Sequence, residues 1–300
     1  SRVVPALADA GCRTFYVAHT TEGREARQAL AGRPADIFVF NGFWPSELEA
    51  LREASLFPVI NDLHQLEQLR ELAPDLPCAI HVDTGMNRLG MSAEDAAALA
   101  ADGKLAEGVE VALVMSHLAC SDEAAHPQNA RQLGRFNEIL AVLKRRFPAA
   151  KASLANSGGI YLGEDYRFDL VRPGVSLYGG NPFTGRANPF RAVVTARARI
   201  LAVRDVPAGE TAGYAATWEA ARPARIAVLA AGYADGYFRA LSSGESPESG
   251  GQVYIAGYTA PVAGRVSMDM AMVDVSGLPE GAVSRGDWAE LIGPHMSVDE

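Results

Sequence analysis

Lysine is scarce in this sequence of 300 residues: only Lys104, Lys144 and Lys151 occur among 27 lysines and arginines. Chemistry that starts from a lysine amine therefore has three places to begin. Cysteine is equally sparse. Cys12, Cys78 and Cys120 are odd in number and far apart, with no Cys-x-x-Cys pair for zinc and no disulfide spacing, so they read as reduced core residues and no metal site is expected. No apolar run reaches eighteen residues, and Ser1-Arg2-Val3-Val4-Pro5 lacks the apolar stretch of a secretory signal. The expectation is a cytoplasmic protein with no membrane partner. A formal net charge of −9, with Lys144-Arg145-Arg146 as the densest basic cluster, disfavours nucleic acid as a partner. The sequence lacks an initiating Met and closes on Met296-Ser297-Val298-Asp299-Glu300, a capped helix start with no helix behind it. Both ends are expected to be cut.

Hydrophobic side chains make up 48% and charged ones 21%, enough apolar surface for one large core or two unequal ones. Over residues 1–187 short apolar runs alternate with helical patterns, the signature of βα units on a parallel sheet. Seven candidate strands fall at 14–18, 36–40, 58–60, 78–82, 111–116, 152–155 and 168–171. Helix patterns at 46–54, 62–72, 92–101 and 128–147 lie between them, and residues 3–10 form a leading helix with no strand before it. Seven strands and an orphan helix predict an α/β domain of the (β/α)₈ TIM-type barrel class whose first strand is missing. Over residues 188–300 the pattern turns to β runs with Gly and Pro turns, at 192–206, 224–231, 252–255 and 272–275. That predicts a second, mainly β domain, with 242–251 as a surface loop.

In such a barrel the functional face is the C-terminal ends of the strands. Asn41 and Asn61 follow the second and third runs; Asp83, Thr84 and Arg88 follow the fourth, and His117 the fifth. Asn156-Ser157-Gly158-Gly159 ends the sixth, and Arg172-Pro173-Gly174-Val175 ends the seventh. The last two place small residues where helices are expected to start, and N–H groups there, beside a serine hydroxyl, suit a phosphate. Two plain glycine turns fit the same residues equally well. His117 taken alone reads more readily as a satisfied core histidine than as a catalytic group.

Six separated motifs carry a resemblance. They are Val82-Asp83-Thr84-Gly85-Met86-Asn87-Arg88-Leu89-Gly90, Val114-Met115-Ser116-His117, Asn156-Ser157, Arg172-Pro173-Gly174-Val175-Ser176-Leu177-Tyr178-Gly179, Gly232-Tyr233-Ala234-Asp235-Gly236 and Gly264-Arg265-Val266-Ser267-Met268-Asp269. Together they resemble the alanine racemase family, pyridoxal 5'-phosphate (PLP) enzymes with a barrel domain and a β domain. The resemblance implies interconversion of L- and D-alanine by two bases, supplying D-alanine for peptidoglycan, in a homodimer whose sites are shared between subunits. It implies that Tyr233, from the partner subunit, is one base; a phenol serves so at neutral pH only where cationic neighbours favour the phenolate. It further implies that Arg88 reaches the phenolic oxygen of PLP, His117 packs near the ring, Arg172 faces the pyridine nitrogen, and Met268 offers its N–H to the substrate carboxylate. Asn156, Ser157, Gly174 and Val175 fall to the cofactor, the last three through its phosphate.

The sequence departs from the pattern in two places. The family's Schiff-base lysine belongs to a strand ahead of the leading helix, and none of the three lysines stands in for it, so these residues alone are expected not to racemise. His81 stands where many members have a carbamylated lysine that orients the arginine matching Arg88; a histidine can donate a hydrogen bond there but carries no carbamate charge. Two other readings remain: a noncatalytic PLP-binding or regulatory protein without the lysine, and a related racemase of broader specificity. A barrel-type PLP decarboxylase fits less well, because it needs a cysteine in the β domain and all three cysteines lie before residue 188.

Overall fold

The computed structural model describes residues 2–243 and 250–299. Two compact units are resolved, one of residues 1–174 with 182–187 and the other of 175–181 with 188–300.

The first unit alternates strand and helix. Helix α1 (Val3–Asp9) leads into β1 (Thr14–Val17), α2 (Thr20–Leu30), β2 (Asp36–Val39), α3 (Leu48–Glu53) and β3 (Leu56–Ile60). Then come α4 (Leu63–Leu72), β4 (Cys78–His81), α5 (Ala93–Ala101), β5 (Val111–Met115), α6 (Pro127–Arg146) and β6 (Lys151–Ser153). The six strands form one parallel sheet in sequential order, the arc of a TIM-like barrel. The helices start where short polar side chains can satisfy free backbone N–H groups. Asp62 accepts from Gln65 N–H at 2.8 Å ahead of α4, and Ser92 forms a reciprocal capping box with Asp95 ahead of α5.

Strand periodicity sorts the apolar residues onto two faces. Ile37, Val39, Leu56, Ile60, Cys78 and Ile80 join the large core with the helices, whereas Phe38, Val59, Ala79, Leu113 and Met115 form a separate cluster on the inner face. Both faces are buried, which is why these strands read as continuous apolar runs. Tyr16 stacks between Phe38 (5.3 Å) and Phe40 (5.2 Å), giving the inner face an aromatic side.

The expected seventh strand at 168–171 is not formed. Phe168 sits at φ +49°, a left-handed conformation that breaks an extended run at its first residue. The segment still follows β6: Asp169 N–H donates to the Ala152 carbonyl at 3.1 Å and Arg172 N–H to the Ala155 carbonyl at 2.9 Å, and Asn156 and Arg172 form a single parallel bridge. Arg172 is therefore delivered next to the end of β6 without a regular strand. The helix starts expected at Gly158 and Gly174 are also corrected, to the short 3₁₀ turns Gly159–Tyr161 and Val175–Tyr178.

In the second unit β7 (Ala196–Val206), β8 (Thr211–Ala212), β9 (Trp218–Glu219), β10 (Ala224–Leu229), β11 (Gln252–Ile255), β12 (Tyr258–Pro261), β13 (Ala271–Asp274) and β14 (Trp288–Ile292) are arranged in two sheets. The larger has the order β12-β11-β14-β7-β10-β13 with antiparallel pairings; the smaller is the pair β8-β9. The run expected from residue 192 becomes a strand only at Ala196, where pairing to Ile292 of β14 begins. β12 and β14 go beyond the expected runs. The loop expected over 242–251 has its central residues, 244–249, outside the described residues.

Candidate active site

At the C-terminal ends of β3, β4 and β5 the polar side chains hold one another. Asn61 Nδ2 donates to the carbonyls of Phe40 (3.1 Å) and Val59 (3.0 Å), and its Oδ1 lies 2.8 Å from His81 Nδ1. His81 is buried, and desolvation, helped by the positive charge of Arg172, pushes its pKa down to about 4. For His117 burial is again the first cause, followed by Arg172, Arg88 and His81, and the value falls to about 3. Both imidazoles are neutral at neutral pH. Asn41 turns elsewhere, with Nδ2 2.8 Å from His19 Nδ1.

The loop after β4 is built around one carboxylate. Asp83 Oδ1 accepts from the N–H groups of Gly85 and Met86, each at 2.9 Å, and Oδ2 accepts from Asn87 N–H at 3.0 Å. Partial burial works to raise the Asp83 pKa, but these donors and His81 outweigh it and hold the carboxyl below its usual range. Asn87 takes a left-handed φ of +54°, and Gly90 at φ +115° packs so close that an added Cβ would meet Asp83 N at 2.7 Å. Arg88 projects from this turn, exposed, and takes part in none of the hydrogen bonds or ion pairs among the described residues.

Arg172 is 7% exposed and makes no ion pair with a carboxylate among the described residues. Its Nη1 donates to Ser153 Oγ, its Nη2 to the carbonyls of Ser116 and, at 3.3 Å, Leu154; Nε has no hydrogen-bond partner among the described residues. Desolvation lowers its pKa to about 10, so it stays a cation at neutral pH. Its guanidinium lies 5.9 Å from the centre of the Tyr16 ring. Burial pushes the Tyr16 phenol up to about 12, with Arg172 opposing. Tyr16 was not singled out in the sequence; its signal is the aromatic set Tyr16, Phe38, Phe40 and Phe57 at inward positions of three strands.

The Asn156 and Arg172 segments meet through Ser157. Its buried Oγ accepts from Gly174 N–H at 2.9 Å. Asn156 Oδ1 accepts from Gly159 N–H at 3.0 Å and from Ser121 Oγ at 2.7 Å, so this side chain shapes the turn. Gly158 is required by space, since a Cβ there would stand 2.5 Å from the Ser121 carbonyl oxygen, whereas Gly174 faces open space. Val175 opens the adjoining 3₁₀ turn and is exposed.

In the second unit Tyr233 and Met268 stand on two turns that are fused through their backbones. Tyr233 N–H donates to the Ser267 carbonyl and Ala234 N–H to the Met268 carbonyl, both at 3.0 Å. A Cβ on Gly232 would lie 2.2 Å from the Met268 carbonyl oxygen, so only glycine allows the approach. Asp235 closes the turn by accepting from Gly232 N–H at 3.0 Å. Tyr233 (44%) and Met268 (55%) keep exposed side chains. An apolar cavity of about 310 Å³ lined by Tyr214, Arg265, Ser267, Met270 and Met272 adjoins the second turn.

Comparison with known proteins supplies the family. The family model described as alanine racemase, N-terminal domain, matches residues 1–182, and that described as alanine racemase, C-terminal domain, matches residues 193–300. The chain belongs to the alanine racemase family. It is 46% identical to a protein of Rhizobium meliloti (strain 1021) named alanine racemase, over 99% of this chain and 79% of that protein. It is 41% identical to a biosynthetic alanine racemase of Agrobacterium fabrum, over 98% and 76% respectively. Among solved structures, alanine racemase from Bartonella henselae with covalently bound pyridoxal phosphate superposes with a TM-score of 0.84 at 38% identity, covering 99% of this chain and 80% of that one.

No lysine reaches the strand ends at which the family's site is sought. Lys104 is exposed beyond α5, Lys144 on α6 donates to the Ala150 carbonyl, and Lys151 is the exposed first residue of β6, at the opposite end of the sheet. Among the described residues no helix is long and apolar enough to cross a membrane, and no three His, Cys, Asp or Glu side chains are grouped to hold a metal.

Proposed function

We propose that the chain forms the cofactor-binding and substrate-facing parts of a PLP-dependent alanine racemase, interconverting L- and D-alanine. The observation that carries this reading is a strand-end face made of hydrogen-bond donors and cations. Arg172 is buried without a counter-ion among the described residues, His81 and His117 are neutral, and the Asp83 oxygens are occupied by their own loop. Such a set suits an anionic phosphate and an aromatic ring bearing an acceptor nitrogen, which are the binding features of PLP. When bound, PLP supplies an electron sink that acidifies the α C–H of the amino acid.

Each residue then has a task. Arg172, a cation that retains its protons at neutral pH, donates to the ring nitrogen and leaves it unprotonated. Ser157, with the N–H groups of Gly174 and Val175, holds the phosphate end, and Asn156 supports the cofactor by shaping the turn that carries Ser157. Arg88 donates to the phenolic oxygen, and His117 packs against the ring as a neutral imidazole. Met268 N–H receives the substrate carboxylate and Tyr233 moves the proton at Cα, both from the partner subunit of a homodimer. The functional division falls at residue 187/188, the protein is cytoplasmic, and its D-alanine serves cell-wall synthesis. Two faces of Cα need two bases; the family resemblance gives the second to the Schiff-base lysine, and none of the three lysines in this chain reaches the strand ends.

Full-length protein with PLP and L-alanine in D2O tests the reading. D-alanine on chiral chromatography and deuterium at Cα are expected, and Tyr233→Phe should suppress exchange from one enantiomer far more than from the other. A protein that binds PLP yet forms no D-alanine would instead be the noncatalytic relative that the lysine placement also fits.

A further inference from the structure

Helix α6 carries a buried amide that none of the roles above uses. Gln132 has no exposed surface and all its polar capacity toward the two strand-end loops is engaged. Nε2 donates to Thr84 Oγ1 at 3.1 Å and to the His117 carbonyl at 2.8 Å, while Oε1 accepts from Ala119 N–H at 2.8 Å. An amide has two donor hydrogens and one carbonyl, so a single side chain closes a three-way bracket between the loop after β4 and the segment after β5. The same helix face adds two contacts. Gln128 Nε2 donates to the Gly85 carbonyl at 2.9 Å and Arg135 Nη1 to the Thr84 carbonyl at 3.3 Å. Thr84 Oγ1 also lies 2.8 Å from Ser116 Oγ.

Arg88 has no partner of its own among the described residues, so its placement is inherited from the loop that Asp83 shapes from within and α6 grips from outside. We propose that Gln132 is a positioning residue of the cofactor site, setting the Arg88 loop against His117. The proposal rests on the reading of this face as the PLP site. An apolar side chain at 132 would strand the His117 carbonyl and the Ala119 N–H and leave the Thr84 hydroxyl with Ser116 alone, and the loop would move to rehydrate them. A small displacement of a positioning group is enough to weaken a bound ligand's alignment.

Two variants and two readouts test this. Gln132→Leu is expected to raise amide hydrogen exchange in residues 84–91 and to weaken PLP binding, followed by absorbance titration, about tenfold, with exchange in the second unit unchanged. Gln132→Glu keeps an acceptor for Ala119 N–H but sets a carboxylate against the His117 carbonyl. Its PLP affinity relative to wild type should recover as pH falls and the acid regains a donor, a response that a purely structural residue would not give. Where Gln132→Leu does not fold, Gln132→Glu decides alone. Wild-type affinity and wild-type loop exchange in the variants would overturn the proposal. Wild-type protein that binds no PLP overturns the site reading instead, and the exchange readout then still decides whether the bracket holds the loop.

Discussion

Asn61 fixes the tautomer of His81. Both Asn61 Nδ2 hydrogens go to the carbonyls of Phe40 and Val59, so the Oδ1 that lies 2.8 Å from His81 can only accept. His81 therefore bears its proton on Nδ1 and presents Nε2 as a lone pair. A neutral acceptor takes the place of the charged group that the family resemblance led one to expect.

The buried histidines make stability acid-sensitive. Their folded pKa values, about 4 for His81 and about 3 for His117, lie below the ordinary value, so the unfolded chain binds these protons first. Their contribution is intact above about pH 6.5 and is lost as pH falls toward about 4 for His81 and about 3 for His117, at about 1.4 kcal/mol per pH unit for each histidine. Urea unfolding across this range should show it, and His117→Gln should remove one proton from the slope. An unchanged slope would refute the assignment.

Gly232→Ala should destabilise the second unit by about 1–3 kcal/mol, because its Cβ would meet the Met268 backbone at 2.2–2.4 Å. Gly277→Ala, where a Cβ meets nothing within 4 Å, is the control and should stay within about 0.5 kcal/mol of wild type. Denaturant melts of both variants make the comparison.

Asp83→Ala should loosen the Arg88 loop, costing about 0.5–2 kcal/mol as at other lost backbone caps. Asp83→Asn keeps the acceptor for Gly85 and Met86 and should cost less. Since the folded pKa of Asp83 is depressed, its contribution is present above the ordinary carboxylate pKa and disappears as pH falls through the folded one. Hydrogen exchange at residues 85–87 is the measurement; an unaltered rate in Asp83→Ala would count against the role.

Arg172→Lys preserves the charge but cannot serve Ser153 Oγ and the carbonyls of Ser116 and Leu154 with one ammonium in the same geometry. A loss of about 1–3 kcal/mol is expected from the unsatisfied carbonyls. PLP affinity should fall with it. Stability equal to wild type in urea would show that the guanidinium fork is dispensable to the fold.

The first six strands and the capped helices were legible because their signals are local: apolar runs of strand length, Asp62 before α4, Ser92 before α5. The failure at Phe168 has the opposite origin. Its neighbours look extended, but Phe168 is left-handed and its ring meets Phe136 of α6, 5.0 Å away between ring centres, a contact that no local pattern displays. β14 was missed for a similar reason. Trp288-Ala289-Glu290-Leu291-Ile292 contains a charge that is satisfied from beyond the strand, by the N–H groups of His295 and Met296 and by the His295 imidazole 3.3 Å away. Candidate site residues could be named from motifs, yet Gln132 could not, since its partners lie 13 to 48 positions away.

The backbone fusion of the Gly232 and Met268 turns has a bearing on selectivity. On the roles proposed for Tyr233 and Met268, the backbone positions of the base and of the N–H offered to the carboxylate are tied peptide to peptide, so the spacing of those two backbones behaves as a built-in gauge rather than as an outcome of side-chain packing. Substitutions around the pocket wall can then alter which side-chain sizes are admitted while the alignment of Cα and carboxylate, common to every amino acid, stays constant. Substrate breadth and catalytic geometry would thus drift independently in this scaffold.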